Sequence, residues 1–171
     1  EICNGGGNIG SAFDFTDETA IALWDHLLGL GRVVHAMGNT DAHMPHGIGI
    51  VWNGVFVEKC DQATIIAAVT KGHSFVSDAP LIHLALGDAR MGDHANAEDR
   101  ARELELTVSD SRGLSSVAVI ADGEEIFYQH LRHTTAWNEK IPLPASLKKY
   151  LRAECFSRDG RRAYSNPIYF V

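Results

Sequence analysis

"RVVHAMGNTDAH", Arg32 to His43, is the stretch whose reading decides the architecture. Its first half is short and almost continuously apolar. That is the pattern of a strand buried on both faces of a parallel sheet, with helices covering each side. Its second half, beyond Gly38, is a polar loop carrying a carboxylate and an imidazole, Asp41 and His43. In parallel α/β folds, ligands and metals gather at the carboxyl ends of such strands. The stretch therefore predicts α/β architecture with a site in the loop.

The flanking sequence extends this reading. Thr16-Asp17-Glu18 reads as a helix cap with an acidic first turn, and Ile21, Trp24, Leu27 and Leu28 recur at helical spacing until Gly29 and Gly31. Beyond the loop, "GIVWNGVFVEK" reads as a hairpin turning at Asn53-Gly54. A second helix follows over Asp61 to Thr70, closed by Gly72, and then a strand, "HSFVS". Strands alternating with helices predict α/β for residues 1–79.

From Leu81 the period becomes two. "LIHLAL", "ELELTVS", "SSVAVIA", "EEIFYQH", "YLRAECFS" and "NPIYFV" read as half-buried or edge strands. Asp110 to Gly113, Asp122-Gly123 and Asp159-Gly160 supply the turns. Residues 80–171 are thus expected to form an antiparallel β-sandwich, joined to the first unit near Ser77-Asp78-Ala79-Pro80. The first unit is too short to close a parallel barrel, which takes roughly 250 residues in the eight-stranded case. It is expected to be the tail of a larger domain whose front lies upstream, and the opening "EICNGGG" has no methionine.

Bulk properties narrow the function. With 171 residues, 45% apolar and 22% charged, the chain has the profile of a soluble globular protein of one ordinary domain or two small ones. A formal charge of −7 argues against nucleic acid and anionic membrane surfaces, which select for basic patches. No apolar run approaches the roughly 20 residues a membrane helix needs. Cys3, Cys60 and Cys155 are widely spaced and odd in number, so they read as unpaired thiols.

Asp41 and His43 are two apart in an extended loop, so their side chains project to one side. A carboxylate with an imidazole suits Zn²⁺, Mn²⁺ or Fe. The plainer reading makes Asp41 a turn acid bonding backbone amides, with His43 at the surface. Zinc hydrolases ordinarily use three protein ligands plus an open position, and no H-x-H or H-E-x-x-H occurs. His46 could approach the pair, although Pro45 and Gly47 place it in a turn. His35 reads as a satisfied core histidine, His130 and His133 as a surface pair. His26, His73, His83 and His94 lack a partner at ligand spacing. "GGGNIG" (Gly5, Gly7, Gly10) matches G-x-G-x-x-G but has neither the strand before it nor the helix opening at its last glycine that dinucleotide binding requires. It reads as an active-site loop.

"GNTDAH" resembles the last signature, G-[NS]-[ST]-D-x-H, of the polymerase and histidinol phosphatase (PHP) superfamily. "EICNG", "LWDHLLGLGR", "IIAAVTKGHSFVSDAP" and the closing "KKYLRAECFSRDGRRAYSNPIYF" are similar, in that order, to segments of its CehA/McbA-like metallohydrolase branch. The resemblance implies the C-terminal part of a distorted (β/α)7 barrel followed by an antiparallel β-sandwich. It further implies a multinuclear divalent-metal site in which Asp41 and His43 are the final ligand pair. Glu1 matches a strand-end acid near the site and is a further metal-ligand candidate, and His46 is the catalytic candidate, contacting the phosphate or supporting a ligand. Activity would be hydrolysis of a small-molecule phosphate or other ester by metal-activated water. The remaining ligands would come from an N-terminal part of the same polypeptide. A second expectation belongs to another class: a non-catalytic β-sandwich serving as a binding or interface module, with Phe127, Tyr128 and Trp137 as candidate contact aromatics.

Overall fold

The computed structural model describes residues 1–5, 12–96, 103–132 and 134–170. Gly7 and Gly10 of the glycine motif, and His133, lie outside the described residues. In chain order the elements are α1 (Phe15–Gly29), a 3₁₀ turn (Pro45–Gly47), β1 (Trp52–Val55), α2 (Gln62–Lys71), β2 (Ser74–Ser77), β3 (Leu81–Leu86), β4 (Ala89–Arg90) and β5 (His94–Ala95). They continue with β6 (Glu103–Ser109), β7 (Leu114–Ala121), β8 (Glu124–His130), β9 (Ala136–Pro142), β10 (Tyr150–Ser157), β11 (Arg162–Ser165) and β12 (Ile168–Phe170).

The expected C-terminal part of a (β/α)7 barrel is not what the chain forms. The architecture is mostly β, with two sheets built almost wholly from antiparallel pairs and no barrel. The larger sheet runs β1-β2-β11-β10-β12-β5, and β10 also pairs with β7, which pairs with β8. The smaller runs β4-β3-β6-β9. Among the described residues, parallel pairing is confined to β12 with β5 and a single bridge between Cys3 and Gly38.

Two local readings failed for physical reasons. "RVVHAM" is not a doubly buried strand: Val33 is 53% exposed, and of the six residues only Ala36 is buried. A short apolar run reports hydrophobicity, not which backbone partners it finds. Asn53-Gly54, a typical turn pair, lies inside β1, which pairs along its length with β2 from Trp52↔Ser77 to Val55↔Ser74. Turn propensity was overridden by tertiary pairing. By contrast Asp122-Gly123 does turn, with both residues at positive φ (52° and 93°) between β7 and β8, as two-residue hairpins require.

The middle of the larger sheet is buried on both faces. One face shares a core with the smaller sheet, where Leu151, Ala153, Cys155 and Ile168 meet Ile82, Leu84, Leu104 and Leu106. Its other face carries α1, so that Ile21, Trp24 and Leu28 pack with Tyr150, Tyr164 and Tyr169. Along β12 the sides alternate, with Ile168 and Phe170 in the first core and Tyr169 in the second. This is why β12 is buried throughout, and β10 at all positions but Glu154 and Phe156, where half-buried or edge strands were expected.

The larger sheet draws strands from both sides of Pro80. β2 pairs with β11 (Val76↔Tyr164), and Asp78 accepts from the Arg162 backbone N–H at 2.6 Å. The helix is fixed to the sheet by charge as well. Arg152 of β10 donates through Nε and Nη2 to both carboxylate oxygens of Asp25, each at 2.7 Å, and through Nη1 to Glu154 at 2.8 Å. Bidentate pairing of this kind is the strong form of an ion pair. The capping of α1 starts two residues earlier than the sequence suggested. Asp14 accepts from the Thr16 and Asp17 amides, and Asp17 accepts in return from the Asp14 N–H at 3.0 Å, a capping box.

Candidate functional site

The loop after Gly38 is held by its neighbours on both sides. On one edge the Ile2 N–H donates to Met37 O at 2.8 Å and the Asn39 N–H to Cys3 O at 2.9 Å. On the other edge, side chains replace a strand. Asn53 accepts from the Gly38 N–H at 3.0 Å and donates to Gly38 O at 2.6 Å. Asn166 accepts from the Ala36 N–H at 2.6 Å and donates to Ala36 O at 3.3 Å. Val34 O accepts from the Trp24 indole at 2.9 Å and the Tyr169 hydroxyl at 3.0 Å. Backbone groups that a parallel neighbour would have satisfied are thus met by four side chains. The close approach also requires a glycine at position 38, where a Cβ would run into Val51 and Val76.

Beyond this clamp the chain turns sharply. Asp41 adopts φ 45°, in the left-handed region that Asp and Asn tolerate better than other side-chain-bearing residues. His43 Nδ1 lies 2.7 Å from the Asp41 carbonyl oxygen, to which it donates, and 3.8 Å from Asp41 Oδ1. A neutral His43 so fixed keeps its lone pair on Nε2, and its side chain is 82% exposed. Asp41, His43 and His46 line one open cavity of about 400 Å³ together with Thr40, Met44 and Ile50. Glu1 lies at the same end of the molecule, accepting from the Asn39 side-chain amide, but does not line the cavity.

The structure therefore brings together Asp41, His43 and His46, with Glu1 beside them. As a metal centre the set is short. Among the described residues no three His, Cys, Asp or Glu side chains converge on one point, and two donors fall below the three that catalytic zinc sites ordinarily use.

Sequence reasoning missed the supports of the loop. Asn53 was read as a turn residue, and Asn166 had no role, although a lone asparagine in an apolar run is a signal that its amide is used. It also missed a half-buried pairing, His73 Nε2 donating to Asp93 Oδ1 at 2.8 Å. His35 is not satisfied as expected: its Nε2 is buried with no partner among the described residues. Burial, with His73 and His94 nearby, holds its pKa below the usual 6.5. His83 is likewise pushed down by burial and stands edge-on to Phe56, with ring centroids 4.8 Å apart. Comparison with family models, curated proteins and solved structures found no match to this chain.

Proposed function

We propose that the Gly38–Gly47 loop contributes Asp41 and His43 to a divalent-metal centre, Zn²⁺, Mn²⁺ or Fe, of a hydrolase acting on a small-molecule phosphate or other ester. The observation that carries this reading is the tether of His43. Its Nδ1–H is spent on a backbone carbonyl, which sets the tautomer and aims Nε2 outward, the arrangement typical of metal-bound imidazoles. A strained acid beside it, on a loop clamped by asparagines, fits a site whose geometry matters more than its local stability. The metals, when bound, would supply an acidified water. This chain's own part is to bind and orient through Asp41 and His43, with His46 placed to contact the substrate's phosphate and Glu1 to support Asn39.

Two donors make an incomplete centre, so the reading requires further ligands from another part of the same polypeptide. The exposed apolar side chains near the loop, Met44, Ile48 and Ile50, offer a surface for that part to cover.

Elemental analysis of the full polypeptide with Asp41→Asn tests the proposal. Asparagine tolerates the left-handed backbone, so the fold should persist while metal content and phosphoesterase activity fall together. Unchanged metal content would remove Asp41 from the site. Tight stoichiometric metal with turnover by residues 1–171 alone would overturn the requirement for outside ligands.

The alternative, a non-catalytic binding module, is favoured by one feature. Phe127 and Trp137 stack with centroids 6.1 Å apart and 29° between planes, at a side opening of about 290 Å³ also lined by Gln129 and Glu139. Both rings also pack against the core, which weakens them as contact residues.

A further inference from the structure

A second cavity lies away from the Asp41 loop, where β1 and the residue after it meet the outward face of β3 and β6. Its volume is about 400 Å³, and its walls include Trp52, Phe56, Phe75, His83, Thr107 and Ser109. The rings stand in an unbroken chain of contacts along the cavity wall. Trp52 stands edge-on to Phe75 at 5.5 Å and 74°, Phe56 is tilted on Phe75 at 5.8 Å, and His83 is edge-on to Phe56 at 4.8 Å. Among the described residues the remaining lining is aliphatic or glycine, with no carboxylate, ammonium or guanidinium.

The polar groups are few and turned to the same side. In the β3–β6 register His83 faces Thr107, and Leu81 faces Ser109, all on the outward face. Thr107 Oγ1 accepts from Asn138 Nδ2 at 2.9 Å, which leaves its hydroxyl hydrogen to donate elsewhere. Among the described residues, neither ring nitrogen of His83 has a hydrogen-bond partner. Its imidazole is kept neutral by burial, with Arg90 opposing protonation and Glu105 favouring it. A neutral imidazole offers one donor and one acceptor. An apolar pocket with a small number of converging polar groups is the usual form of a small-molecule site.

We propose that this cleft binds an uncharged planar aromatic compound carrying a hydroxyl or amide, with the ring between Trp52, Phe56 and Phe75 and the polar substituent on His83 and Thr107. Charge match selects the ligand. A charged compound would be stripped of water against a wall with no counter-charge, whereas a neutral ring meets aromatic edges and faces that favour it. The proposal does not rest on the metal-centre reading, since the two cavities share no residue.

The test is an NMR titration of the chain with phenol, reading the Trp52 indole N–H and the Phe75 amide. The expected result is saturable shifts with phenol, and binding at least about tenfold weaker for benzoate and for benzylamine, which carry similar rings with a charge. Ser109→Phe fills the cleft from the outward face without touching the core, and should abolish the shifts while leaving the unfolding midpoint in place. Thr107→Val removes the hydroxyl and should weaken phenol but not toluene. Equal binding of benzoate, shifts that survive Ser109→Phe, preferential binding of methyl glucoside, or no saturable binding of phenol would each overturn the proposal.

Discussion

Asn166 grips Ala36 as a neighbouring strand would: one side-chain amide takes the N–H and the carbonyl of the same residue, across 130 positions of sequence. It also donates to Ser74 Oγ at 3.0 Å, and it is wholly buried. Asn166→Ala would strand several polar groups without water. The expected loss is about 3 kcal/mol, since each buried group left unpaired costs roughly 1–3 kcal/mol. Asn166→Asp should be nearly as damaging, because a carboxylate can accept from Ala36 but not donate to it. Denaturant unfolding measures the loss, and amide exchange at Ala36 should quicken in both variants.

Arg152 makes a second long-range clamp, nearly inaccessible and gripped by Asp25 and Glu154, with the Trp24 ring 5.2 Å from its guanidinium carbon. Asp25→Ala leaves this cation half-compensated and should cost about 3 kcal/mol. Asp25→Leu with Arg152→Met should cost less than the two single changes added, because the pair's desolvation is then avoided. Additive losses in the double variant would contradict the pairing.

Two glycines separate backbone strain from collision. Gly92 (φ 90°) and Gly123 (φ 93°) share a left-handed conformation. A Cβ on Gly123 meets nothing, whereas one on Gly92 would run into the Lys71 carbonyl oxygen and the Gly72 backbone. Gly123→Ala should cost about 1 kcal/mol from strain alone. Gly92→Ala should cost clearly more, read as a larger drop in melting temperature.

Acid should weaken the fold through His35. Burial lowers its pKa in the folded chain below the 6.5 of the exposed side chain, against a backbone bond at Thr70 that acts the other way. The unfolded chain therefore binds a proton that the folded chain resists. The contribution of His35 is complete above pH 6.5 and is lost as pH falls through the lower folded value. His73 and His94 lie near the same ring and oppose its protonation. His35→Phe should flatten the stability profile between about pH 7 and 5. An unaltered slope would mean that another group carries the acid sensitivity.

Much of the local structure was legible in the sequence. The period-two stretches are strands, both helices lie where the spacing put them, and Asp122-Gly123 turns. The assembly was not legible. A short apolar run does not say which partners its backbone finds, so "RVVHAM" suggested neighbouring strands that the molecule replaces with side chains. Period alone could not show that α1 lies on the back of a sheet drawn from the far end of the chain. At the candidate site, spacing singled out Asp41 and His43, and the fold places both on one open cavity. The cleft at His83 was not singled out, because its walls come from four separated segments that only the fold brings together.

The pairing of β2 with β11 bears on any attempt to divide the protein. Cutting before Pro80 would bare the backbone of Ala163–Ser165, which Ser77, Val76 and Phe75 now occupy. A freshly opened strand edge recruits other chains. The expected product of such a cut is aggregation of the C-terminal piece, because the stretch before Pro80 also shields the edge of a strand about 85 residues away.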